Sequence, residues 1–306
     1  MTSERAALTA SAVAALALGA TGVAVALATG SAAIMLDGLF NLCFFAIALL
    51  TLRVATLVAR PDDERYPFGY LFFEPLINTA KGLLILGVSL FALVDAVRAL
   101  ASGGGSVAFG PAAVYAAAAS LVCAAVAFVV HGVHARTRSP LVGADVDNWK
   151  VNAAVSAGVL AGFLIAALLL RFGHAEAAGR VDPGMVVLVV LLSIALPVRM
   201  ALTGLAALLN RALPPDVVED MHGLVRAALG DVAVARLWVR AIRPGRTAYV
   251  VVHVLVSPEA VLDLATADRL RGAIIAGLAA RHGPVVVDVV FTGVEAYAAP
   301  TTGFTA

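Results

Sequence analysis

Residues 34–45 read IMLDGLFNLCFF. An aspartate, Asp37, and an asparagine, Asn41, stand in an otherwise apolar segment. In a water-soluble protein such a run is a core helix with two awkward residues. In a membrane protein it is a span carrying a charge where no water solvates it, and an ionisable group there marks a functional position by default. The composition of the rest of the chain decides between the two. The 306 residues are 61% hydrophobic and 13% charged, where soluble domains carry about a quarter charged residues. Mean hydropathy is +0.97. This much apolar surface cannot be hidden from water by one globular fold, so the chain reads as an integral membrane protein.

Six stretches are long enough to cross a hydrocarbon core, near 6–28, 32–58, 75–100, 111–134, 146–170 and 183–208. Each is predicted as a helix, because backbone polar groups in lipid must be satisfied within the segment. Turn chemistry separates them: Gly30-Ser31, RPDDERYPFGY at 60–70, SGGGS at 102–106, RTRSP at 136–140 and GRVDPG at 179–184. The first run is too long for the apolar part of a signal peptide and is taken as a retained span. Arg60 and Arg65 follow the second span, and Arg136 and Arg138 the fourth. The short loop after the first span carries no charge. Positive-inside bias therefore predicts both termini in the cytoplasm, in a multi-pass protein of the cell (inner) membrane.

After Pro214-Pro215 the pattern changes. DVVEDMHGLVRAALG and ATADRLRGAIIAGLAARHG have helical period; VARLWVRAI, TAYVVVHVLV and VVVDVVFTGV read as strands. The expected fold class is an all-α six-helix transmembrane domain at 1–210, then a small cytoplasmic α+β domain of order α-β-β-α-β at 211–306. A regulatory or dimerisation role suits the second.

Asp37 and Asn41 lie four apart, on one helix face. The fifth span opens GADVDNWKVNAAVSAGVL, where Asn148 and Asn152 repeat the spacing and Asp145 shares their face. If spans two and five meet, four oxygen-bearing side chains converge in the geometry of a cation cage. Blander roles exist for each residue. Asn41 could join helices as an amide; Asp145 and Asp147 suit a first helical turn; Lys150 sits three residues from Asp147, in pairing range. Glu74, Asn78 and Lys81 share one face of the third span. Lys81 is expected to form an interhelical or dimer-interface ion pair with Glu74 or another acid. His131 and His134 end the fourth span, and Trp149 and Tyr66 suit interfacial anchoring. Gly19 and Gly22 of the first span suit close helix packing. Cys43 and Cys123 stand in apolar runs and form no metal or redox motif. The net charge of +1 gives no field for nucleic acid. No phosphate loop, G-x-S-x-G or H-E-x-x-H suggests an enzyme.

Three segments give the chain its resemblance to the cation diffusion facilitator family of cation efflux transporters. SAAIMLDGLFNLCFFAIALL resembles the family's D-x-x-x-D helix, PFGYLFFEPL its F-G-H-x-x-x-E stretch, and GADVDNWKVNAAVSAGVL its A-D-x-x-H-x-x-x-D helix. The resemblance implies six helices with a metallochaperone-like domain, homodimers, and export of a divalent cation by alternating access, usually against protons. It places Asp37, Asn41, Asn148 and Asn152 at the metal positions. Asp145 and Asp147, near the cytoplasmic mouth, are possible helpers by position. Asp37 keeps the family aspartate; the other three positions are amides. Tyr70 replaces the loop histidine, though Glu74 matches, so the loop site is expected to be missing despite Asp62 and Asp63. His253 matches a ligand position of the last domain, where Arg236, Thr266 and Phe291 replace its companions. No bound cofactor is expected beyond the transported ion, left open among Mn, Mg, Zn, Co and Fe. A one-carboxylate, three-amide cage suits hard cations better than zinc. The alternative is a degenerate, non-transporting member that serves as a partner or regulatory subunit.

Overall fold

The computed structural model describes residues 2–58, 60, 62–67, 69–137, 140–245 and 247–298. Phe68 and Arg138, used in the motif and charge readings above, lie outside them. The chain divides into two compact units: residues 1–53 with 80–201, and 54–79 with 202–306.

The first unit is helical. Helices α1 (Thr2–Thr29), α2 (Ala32–Val58), α3 (Phe73–Ala101), α4 (Phe109–Thr137) and α5 (Pro140–Arg171) follow the apolar runs. The sixth span starts earlier than the hydropathy pattern suggests and is broken: α6 (Ala175–Gly179), α7 (Val181–Ser193) and α8 (Ala195–Leu208). Pro183 falls in the first turn of α7, where its missing N–H costs nothing. Pro197 cannot donate to the Ser193 carbonyl, and the α7–α8 break lies at that bond. Among the described residues, six helical stretches are long and apolar enough to cross a membrane. Ala26, Ile34, Ala112, Phe163 and Val186 form part of the buried core that α1, α2, α4, α5 and α7 share.

Small residues let α1 and α2 touch. A Cβ on Gly38 would stand 2.8 Å from the Val23 amide nitrogen, and one on Gly22 would stand 3.0 Å from the Gly38 Cα. The residue beside Asp37 is thus fixed by backbone contact. At the start of α2, Gly30 takes φ +72° and Ser31 accepts from the Ile34 amide at 3.1 Å, the N-cap bond. Asp182, 2% exposed, completes the cap: Ser31 Oγ donates to it at 2.5 Å, and the Ala32 and Ala33 amides at 2.8 and 3.3 Å.

The second unit holds the α-β-β-α-β module. Helix α9 (Pro215–Leu229) precedes β1 (Val234–Ile242) and β2 (Ala248–Val256); α10 (Leu264–His282) precedes β3 (Val285–Thr292). β2 is central, antiparallel to β1 and parallel to β3. Strict alternation in β2 buries Val250, Val252 and Val254 against Met221, Val225 and Leu229 of α9 and Ile274 and Leu278 of α10. Asp263 caps α10 by accepting from the Thr266 amide at 2.6 Å.

Candidate cation site

The two i, i+4 pairs face each other. Asn152 Nδ2 of α5 donates to Asn41 Oδ1 of α2 at 3.2 Å, with both residues buried. Asn41 Nδ2 in turn donates to the Asp37 backbone carbonyl at 2.9 Å. An amide can bond both ways at once, which lets Asn41 satisfy its own helix and reach the next. Asp37, Asn148 and Asn152 line one cavity of about 230 Å3, with Asn41 directly behind Asn152. The other lining residues are mostly aliphatic and aromatic, among them Phe40, Phe44, Val155 and Met185. Ser193 adds a hydroxyl that no motif or spacing singles out.

Of the remaining expected residues, Asp145 and Asp147 stand elsewhere. Asp147 is exposed and pairs with Lys150 at 3.5 Å. Asp145 lies against Ser11 and Trp149 and keeps a buried oxygen, Oδ2, without a hydrogen bond. Neither borders the cavity. Trp149 is not the interfacial anchor expected: it is 2% exposed and donates to Ser11 Oγ at 2.7 Å, because α1 packs over the start of α5. Lys81 borders the cavity, and its ammonium donates to Thr51 Oγ1 of α2 at 2.6 Å, a hydroxyl rather than a carboxylate. Glu74, in the first turn of α3, has its carboxylate beside Gly245 in the second unit. Gly143 of α5 packs on the His134 ring.

The loop position also has a local explanation. Tyr70, which replaces the family histidine, donates its hydroxyl to Asp63 Oδ2 at 2.7 Å, while the Tyr66 amide donates to Oδ1 at 2.8 Å. These bonds hold the Asp63 carboxyl below the usual carboxylate range, the tyrosine hydroxyl contributing most. In the second unit, His253 lies 3.4 Å from the Arg240 guanidinium. Partial burial and that cation hold its imidazole below the usual histidine value; the guanidinium would also repel a metal cation. Among the described residues, no three His, Cys, Asp or Glu side chains group to hold a metal ion. The concentration of oxygen donors inside the helices is the amide-rich one, with Asp37 its carboxylate.

The fold and this site define a multi-pass membrane protein with a polar point between two spans. Residues 8–209 match the family of the cation efflux transmembrane domain, and the chain belongs to that family. The family is one of transporters rather than enzymes, and the chain is accordingly a metal-cation transporter in class. No curated protein sequence matches the chain.

Proposed function

We propose that the chain exports a hard divalent cation from the cytoplasm by alternating access, as a proton antiporter and a homodimer in the cell membrane. The observation that carries this reading is the Asn152–Asn41 bond beside Asp37, which brings α2 and α5 to one cavity. Amide and carboxylate oxygens are hard donors and suit Mg2+ or Mn2+ over Zn2+. One carboxylate leaves a bound divalent ion with net charge near +1, so retained water must share the coordination; Mg2+ keeps water readily. Asparagine cannot titrate, which makes Asp37 the cavity carboxylate able to exchange a proton for the ion. The arginines after the second and fourth spans put the termini in the cytoplasm, and the α-β-β-α-β module there serves regulation or dimerisation.

One observation favours a second reading. Asn41 and Asn152 satisfy each other without an ion, as a non-transporting partner subunit would require. Flux of Mg2+, Mn2+, Co2+, Fe2+ and Zn2+ into proteoliposomes at two pH values separates the two. Transport predicts flux that falls to the empty-vesicle level in Asp37→Ala and changes with the proton gradient. Wild type and variant both at the empty-vesicle level would leave the partner-subunit reading.

A further inference from the structure

The cavity has a second charge that the ion-binding reading does not use. On α2 it is lined by Ala33, Leu36, Asp37, Phe40, Phe44 and Ile47, one continuous face of the helix. Thr51 lies one turn beyond Ile47, and there it accepts from the Lys81 ammonium. From Asp37 to Thr51 the helix rises roughly 21 Å. Carboxylate and ammonium thus stand toward opposite ends of one elongated space.

The two ends differ. At the start of α2 the buried Asp182 carboxylate binds Ser31, Ala32 and Ala33, and the Ala108 amide donates to the Thr29 carbonyl at 3.0 Å. An ion that enters at the Thr51 end passes Lys81 on its way to Asp37. We propose that Lys81 is an electrostatic gate on the cavity: its ammonium, held on α2 by Thr51, repels cations on the way to Asp37. Repulsion scales with the charge of the ion, so a divalent cation is held back twice as strongly as a monovalent one. Apolar walls such as Phe44 and Ile47 leave that field poorly screened. Passage of the divalent ion then requires α3 to carry Lys81 off Thr51, which ties opening of the path to movement between α2 and α3.

The inference rests on reading the cavity as the ion path, but its test needs no transport. With Cys43 and Cys123 replaced by alanine, Val155→Cys places a single thiol in the cavity one turn beyond Asn152, deeper than Lys81. Its labelling rates by a sulfonate and by a trimethylammonium methanethiosulfonate are compared, each normalised to a free thiol. The gate predicts that the anionic reagent is favoured, that Lys81→Gln lowers this preference at least about fivefold, and that Lys81→Arg keeps it. High salt should erode the preference with no change of sequence, a check that does not depend on the variants folding. A preference unchanged in Lys81→Gln and in high salt overturns the gate, and so does a thiol that neither reagent reaches. Charge selectivity in a chain without flux would sink the transport reading alone; flux without Lys81-dependent selectivity would sink the gate alone.

Discussion

Two aspartates belong to the two ends of one functional stretch of α2, and their surroundings differ. Asp182 reaches the start of the helix from α7 and accepts from one hydroxyl and two backbone amides. Its lone pairs are engaged, and what it does is hold a helix end. Asp37, five residues along, borders a cavity; among the described residues its backbone carbonyl accepts from Asn41, and no hydrogen bond reaches its carboxylate. Burial alone does not separate a structural carboxylate from one available to a ligand. The count of donors already aimed at it does.

Substitutions can break this contrast. The largest expected effect is on ion binding in Asp37→Asn, which removes the cavity carboxylate at nearly constant shape. Affinity for Mn2+ should fall at least about a hundredfold, near 3 kcal/mol, while thermal unfolding stays the same or shifts upward. Asp182→Ala should do the reverse. It strands the Ser31 hydroxyl and two amides and costs about 2–3 kcal/mol of stability, seen as a lower melting temperature with ion affinity per folded molecule preserved. A loss of binding equal to that of Asp37→Asn would erase the distinction between the two aspartates.

Asn152→Asp, and more so Asn148→His combined with Asn152→Asp, should strengthen zinc binding by about tenfold or more, since an anionic or imidazole ligand replaces an amide. Unchanged zinc affinity in the double variant, measured by calorimetry, would count against placing the cage here. The smallest effect belongs to the loop. Asp63 titrates below its ordinary value because the Tyr70 hydroxyl, first, and the Tyr66 amide favour the charged form. Such a group contributes stability above its unfolded pKa and loses it as pH falls through the folded value. Tyr70→Phe should therefore lower the melting temperature slightly at neutral pH and not at all once the carboxylate is protonated. A difference that persists in acid would assign it to packing with Tyr66 and Phe73, whose rings lie against Tyr70.

The spans and the α-β-β-α-β order were legible because both follow from local periodicity. The i, i+4 pairs on α2 and α5 were legible too, since spacing on one helix needs no tertiary information. Which faces meet is a long-range fact, and the Asn41–Asn152 contact could be reached only through the family resemblance. Asp182 stood in the GRVDPG turn at 179–184, and nothing local says that its oxygens belong to a helix starting at residue 32. For Lys81 an acidic partner was expected, and the structure supplies the Thr51 hydroxyl. Trp149 misled because interfacial tryptophans and buried ones look alike until α1 and Ser11 are in place. The break at Pro197 was open to reading, and continuous hydropathy obscured it.

That Asp37 and the α5 asparagines hold one ion is tested most directly by a double-mutant cycle in Mn2+ affinity between Asp37→Asn and Asn152→Ala, on the purified protein. Ligands of one ion give singles that each lose most of the binding and a double hardly worse than Asp37→Asn, a coupling of about 1 kcal/mol or more. Losses that simply add would mean that the two side chains do not serve the same ion.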